Sequence, residues 1–172
     1  TIGMTSEFEP SEYSSVSVDD FKESYKMVDY LCKQGHKKIA ILTAAMDDVS
    51  IGKLRYEGYK KALADHGIEY NERLVRCMRD DIESYTMENG YEVTKELLES
   101  NEEFTALYAI SDRLAIGACK AIIEAGKKVP DDYSVAGFDG LDISFYYNPS
   151  LTTMKQPVEE IAEETIKILF DL

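Results

Sequence analysis

Ala106-Leu107-Tyr108-Ala109-Ile110, followed at once by Ser111 and Asp112, is an unbroken apolar run that ends where a helix can begin. A short run with no polar alternation reads as a strand buried on both faces, as in a parallel sheet covered by helices. Asp112 is the expected N-cap of the helix that follows, and Gly126 its stop. The same unit recurs on both sides. Residues 39–42 (IAIL) form a second buried strand, and Ser50 or Gly52 opens a helix carrying Leu54, Tyr59, Ala62 and Leu63, closed at Gly67. Residues 74–78 (LVRCM) are a strand followed by a helix with Met87, Tyr91, Thr94, Leu97 and Leu98. Residues 134–138 (SVAGF) are another, from which a loop runs to LTT at 151–153. Pro157 then occupies the first turn of a last helix with Val158, Ile161, Ala162, Thr165 and Leu169 on its apolar face. At the front, Val16 and Val18 end a short extended stretch. Asp19 or Asp20 caps a helix with Phe21, Tyr25, Val28 and Leu31 at helical spacing, closed at Gly35. The alternation predicts an α/β fold: a doubly wound, mostly parallel sheet with helices on both faces.

The 172 residues are enough for one domain with a real core, and 44% hydrophobic with 30% charged residues is a globular composition. No apolar run approaches the roughly 18 residues a spanning helix needs, so no membrane partner is expected. TIGMTSEFEPSEY at the start shows no secretory signal. A net charge of −14 argues against this piece gripping phosphates, because nucleic-acid binders concentrate Lys and Arg. Cys32, Cys77 and Cys119 are odd in number and widely spaced, which reads as buried free thiols in a reducing cytoplasm. No CxxC pair, GxGxxG, Walker A, HExxH or GxSxG occurs, so no metal, cofactor or catalytic centre is expected.

Ligands of open parallel sheets bind beyond the carboxyl ends of the strands. That rule gathers Asp47, Asp48, Ser50 and Arg55 after the first strand, and Arg79, Asp80, Asp81 and Tyr85 after the second. Ser111, Asp112 and Arg113 follow the third, and Asp139 and Asp142 the fourth. Carboxylates, guanidinium groups and an aromatic ring on one rim suit a neutral polyol, which offers hydroxyls to the first two and a C–H face to the third. Each residue also has a structural reading. Arg55 can pair with a carboxylate such as Asp47, Asp139 can turn its loop, Tyr85 can be a core aromatic, and Asp112 can be an N-cap alone. His36 and His66 sit beside the helix stops Gly35 and Gly67, on the opposite rim, where a helix C-terminus favours them without catalysis.

Several stretches then occur in one order: QGHKKIAIL, the spacing S-x(4)-R-x-x-G-Y (Ser50, Arg55, Gly58, Tyr59), SDRLAIGA, VPDDYSVAGFDG and NPSLTTMKQP. From about Val16 onward the chain resembles the effector-binding core of LacI/GalR transcriptional regulators. The resemblance implies a periplasmic-binding-protein-like fold of type I, mainly its C-terminal lobe, over residues 38–153. Residues 1–37 and 154–172 would be hinge crossovers and remnants of the N-terminal lobe. It implies effector contacts at Arg55, Asp139 and Tyr85. Ser111 and Asp112 stand where the family often has an Asn-Asp pair, so an amide contact is lost at Ser111. The implied function is allosteric control of DNA binding by a small effector, a sugar or sugar derivative. DNA would be read only through a helix-turn-helix head outside this chain, in a cytoplasmic homodimer. The missing lobe would leave apolar surface uncovered. The competing readings are a solute-binding protein of a sugar transporter and a sensory module fused to a signalling enzyme.

Overall fold

The computed structural model describes residues 2–3, 14–44 and 51–171. Two short strands, β1 (Ile2–Gly3) and β2 (Ser14–Ser15), pair in parallel. Helix α1 (Asp20–Lys33) starts where Asp19 accepts a hydrogen bond from the Lys22 amide and ends beside Gly35 at φ 98°. It is followed by β3 (Ile39–Thr43), α2 (Ile51–Asp65), β4 (Val75–Cys77), α3 (Met87–Glu99) and β5 (Ala106–Ala109). Then come α4 (Asp112–Glu124), β6 (Ser134–Asp139), α5 (Asp142–Tyr146), β7 (Thr152–Lys155) and α6 (Val158–Asp171). The peptide bonds before Pro130 and Pro149 are cis.

The five strands of the main sheet are all parallel, in the order β4-β3-β5-β6-β7. The chain steps from β3 to β4 in one direction and from β4 over to β5 in the other. Right-handed crossovers then place α2 on one face and α3 and α4 on the other. Accordingly α1 packs beside α2, and α3 beside α4. The central strands β3 and β5 are buried throughout, which explains their lack of polar alternation. The Tyr59 hydroxyl donates to the Ile39 carbonyl at 2.8 Å and fixes α2 against β3.

Several expectations change. The strand expected over 74–78 shortens to β4, an edge strand preceded by a 3-10 turn that buries Leu74. Its edge position leaves Cys77 exposed, whereas Cys119 is buried and Cys32 half-buried, and none of the three is in a disulfide. The loop expected before 151–153 contains α5. Ser111, not Asp112, caps α4, its hydroxyl accepting from the Leu114 amide at 3.3 Å. Helix α1 buries Met27, Val28 and Leu31 in the same core as the sheet. Asp47, Asp48 and Ser50 lie outside the described residues.

Helices α3 and α4 meet backbone to backbone. A Cβ built at Gly117 would lie 2.0 Å from the Met87 carbonyl oxygen, and one at Gly90 2.2 Å from that of Leu114. No side chain fits at either position without separating the helices. Gly117→Ala should therefore cost about 1–3 kcal/mol or more in a urea unfolding experiment. Unchanged stability would contradict the close crossing.

Candidate functional site

The reversal of winding direction opens a crevice between the carboxyl ends of β3 and β5, where doubly wound sheets place ligands. Arg55 spans it. It lies on the second turn of α2, on the helix side that faces the sheet, and its side chain is only 6% exposed. Its Nε donates to Asp20 Oδ1 at 2.8 Å, and its Nη1 donates to the Ile110 carbonyl, just past β5, at 2.5 Å. Asp139 Oδ1 is 3.6 Å from the same Nη1. The guanidinium carbon stands 3.6 Å from the centroid of the buried Phe138 ring, a cation–π contact. Among the described residues, the carboxylates that meet Arg55 are thus Asp20 and Asp139.

Asp139 ends β6 with φ at 124°, a region L side chains rarely adopt, and Gln156 Nε2 donates to its Oδ1 at 2.8 Å. Burial pushes its carboxyl above the ordinary 3.8, while Arg55 and Gln156 pull it back. The loop that carries it is pinned by Asp112. One Asp112 oxygen accepts from the Leu141 amide at 2.8 Å, and the other from Thr153 Oγ1 at 2.5 Å. Thr153 Oγ1 in turn accepts from the Gly140 amide at 3.2 Å. Asp112 is fully buried and faces this loop, so its carboxylate supports the site from beneath.

Tyr85 also has a positive φ, 58°, in the loop before α3. Asn89 shapes that loop: its amide side chain brackets both the Arg79 amide nitrogen and carbonyl, at 2.9 and 3.0 Å, and reaches the Ile82 carbonyl at 3.2 Å. The Tyr85 amide donates to Met78 Sδ at 3.1 Å. Together these bring Tyr85 into an open cleft of about 620 Å³, lined by Ile51, Arg55, Tyr85, Ser111, Arg113, Asp139, Leu141 and Gln156. Four of the five candidate residues therefore line one cleft, and the fifth, Asp112, stands behind its wall. Sequence reasoning missed Asp20, Asn89 and Gln156. Gln156 had a usable signal, since it directly follows a strand end, whereas Asp20 and Asn89 read only as an ordinary cap and a helix residue.

Other rim residues turn elsewhere. Arg79 makes a bidentate pair with Asp81 and reaches Glu96 at 2.7 Å on the exposed surface. The histidines lie on the opposite rim: His36 Nδ1 is 2.9 Å from Thr105 Oγ1, and His66 Nε2 is 2.8 Å from Asp29. A larger cleft of about 720 Å³ opens there, between Lys37, Tyr70, Asn101 and neighbours. It lies away from the crevice, and of its charged lining Lys38 pairs with Glu103 and Glu102 with Arg73. Among the described residues no cluster of His, Cys, Asp and Glu has the makings of a metal site, and no helix is long and apolar enough to cross a membrane.

The Asp139 environment has a pH consequence. Because its folded pKa is raised, its contribution to stability is present below 3.8 and is lost as pH rises through the folded value. A carbon-detected NMR titration should find the Asp139 midpoint above 3.8, and Arg55→Met should move it higher still. A midpoint below 3.8 would mean that Arg55 outweighs burial.

A profile described as a periplasmic binding protein-like domain matches residues 28–172. The HTH-type transcriptional regulator MalR of Clostridium butyricum is 41% identical over 160 residues, 93% of this chain and 46% of that protein. The chain thus spans about half the length of the curated relatives it matches. A sugar-binding LacI-family transcriptional regulator of Escherichia coli, crystallised with phosphate, superposes with a TM-score of 0.85 at 39% identity, covering 95% of this chain and 56% of that one. A LacI-family regulator of Enterococcus faecium with bound ribose gives 0.86 at 31% identity, covering 99% and 61%. The chain belongs to the periplasmic-binding-protein-like domain family, in the form found in LacI-family transcriptional regulators.

Proposed function

We propose that this chain is the C-terminal part of a sugar-sensing module that controls DNA binding allosterically. The observation that carries this reading is the cleft at the winding reversal, where Arg55, Asp139 and Gln156 present donors and acceptors beside the Tyr85 ring. A polyol ring meets such a wall with hydroxyls toward the charged groups and its C–H face on the aromatic. Two relatives fit the choice of ligand, one named as a sugar-binding regulator and one carrying ribose. One lobe covers one side of a ligand. A second lobe would close over the other, and the difference in affinity between open and closed states would be the free energy available for regulation. Ser111 contributes a hydroxyl to the cleft wall, and Asp112 acts by holding the loop of Asp139. Residues 38–153 then form the body of the sensing lobe, with α6 as a crossover out of it. We place its action in the cytoplasm, where a regulator meets DNA through a separate head.

Calorimetry on the intact gene product with unphosphorylated mono- and disaccharides tests this. At least one should bind at or below about millimolar Kd, and Arg55→Ala should weaken it by about tenfold or more, with Tyr85→Ala less severe. If none of these sugars binds, the sugar reading fails.

The partner proposed for the module is a second copy of itself. Met87, Tyr91, Ile116, Ile123 and Tyr147 line a largely apolar hollow of about 560 Å³ across α3 and α4, and Phe145 and Tyr146 of α5 stand 73% and 81% exposed. Contiguous apolar surface of this kind marks an association site. Sedimentation of Tyr146→Asp with Ile123→Asp should give a monomer where the unaltered protein gives a dimer. A dimer in both would place the interface elsewhere.

A further inference from the structure

We infer that Asp20, buried behind Arg55, sets this cleft for an uncharged polyhydroxyl ligand and against a phosphorylated or carboxylated one. The inference rests on the sugar-sensing reading and sharpens it. An arginine in a ligand cleft ordinarily invites anions, but two of the three nitrogens of this guanidinium already meet protein acceptors. Its Nε is held by Asp20 at 2.8 Å with both side chains almost wholly buried, and its Nη1 is shared between the Ile110 carbonyl and Asp139. Among the described residues, the cleft lining and the side chains directly behind it carry Arg55 and Arg113 against Asp20, Asp139 and Asp112, two positive charges against three negative.

A phosphate or carboxylate entering here would meet an excess of negative charge in a partly desolvated floor. To reach Arg55 it would have to compete with Asp139 for the guanidinium. A sugar hydroxyl faces no such conflict. It can donate to a carboxylate oxygen and accept from a guanidinium N–H, so it can bridge Asp139 and Arg55 without breaking their contact. Asp20 is therefore a specificity-determining residue that acts through Arg55. Replacing it with an isosteric amide levels the count at two positive charges against two negative, so an anion no longer meets an excess of negative charge and can compete for Arg55.

The test is calorimetry at fixed ionic strength on the intact protein and on Asp20→Asn and Asp20→Glu. The probes are ribose, ribose 5-phosphate, glucose, glucose 6-phosphate and inorganic phosphate. The unaltered protein should prefer a free sugar to its phosphate ester by about tenfold or more, and Asp20→Asn should shift that ratio about tenfold or more toward the ester while gaining affinity for inorganic phosphate. Asp20→Glu, which keeps the charge, should retain the original preference. Thermal melts check that each variant is folded. The inference is overturned if the unaltered protein favours the ester, a reading that needs no variant, or if Asp20→Asn leaves both ratio and phosphate affinity unchanged. Should no sugar bind any form, the sugar reading fails, and the phosphate series still decides the role of Asp20: a gain in Asp20→Asn supports it, no gain sinks it.

Discussion

A guanidinium buried at the point where the sheet reverses its winding is the constraint around which the carboxyl rim is organised. Taking an ion out of water costs several kcal/mol even after relaxation, so Arg55 is tolerable only with its hydrogen bonds met. Its partners come from separate elements. Asp20 starts α1, the Ile110 carbonyl lies just past β5, and Asp139 and the Phe138 ring end β6. Meeting one charge thereby ties α1, α2, β5 and β6 at the rim. The same demand is met by α1, which delivers a carboxylate to Arg55 as well as apolar side chains to the core of the sheet.

The loops around that charge are held in conformations they would not adopt alone. Tyr85 and Asp139 both have positive φ, each costing of order 1–3 kcal/mol for a residue with a side chain. The surrounding bonds hold them there. Asn89 brackets the backbone before Tyr85, and Asp112 clamps the residues after Asp139 to β7. Even Gly137 is part of this clamp, because a Cβ there would lie 2.4 Å from Asp112 Oδ1. A cleft wall built this way presents its polar groups already oriented, so a ligand need not order them on binding.

The opposite tendency marks the parts of the surface left apolar. Val158, Ile166, Leu169 and Phe170 of α6 are all more than half exposed. The apolar periodicity that identified α6 in the sequence is therefore real, but among the described residues no element covers its face. Many of the exposed helix charges sit in local pairs such as Lys33–Asp29 and Lys120–Glu124, worth little individually.

The sequence alone determined the layered α/β architecture and pointed to the carboxyl rim of the strands as the place of the candidate site. Both follow from local signals: unbroken apolar runs for strands buried on two faces, capping residues and glycines at element ends, and the rule that ligands gather at strand carboxyl ends. Arg55, Tyr85 and Asp139 were legible as residues of the strand carboxyl rim, and the family resemblance singled them out among the other polar residues there. Only the tertiary structure decided what each polar residue does there. Asp112 and Ser111 are both competent N-caps, and nothing local says that Ser111 takes the cap while Asp112 reaches the Leu141 amide 29 residues away. Asp20 looked like one of two cap candidates, and its pairing with Arg55 spans 35 residues. Edge and centre were equally hidden, since β4 and β5 differ in burial only because of where each lies in the sheet. Periodicity and capping are properties of neighbours in sequence, whereas the partner of a buried charge is chosen by packing.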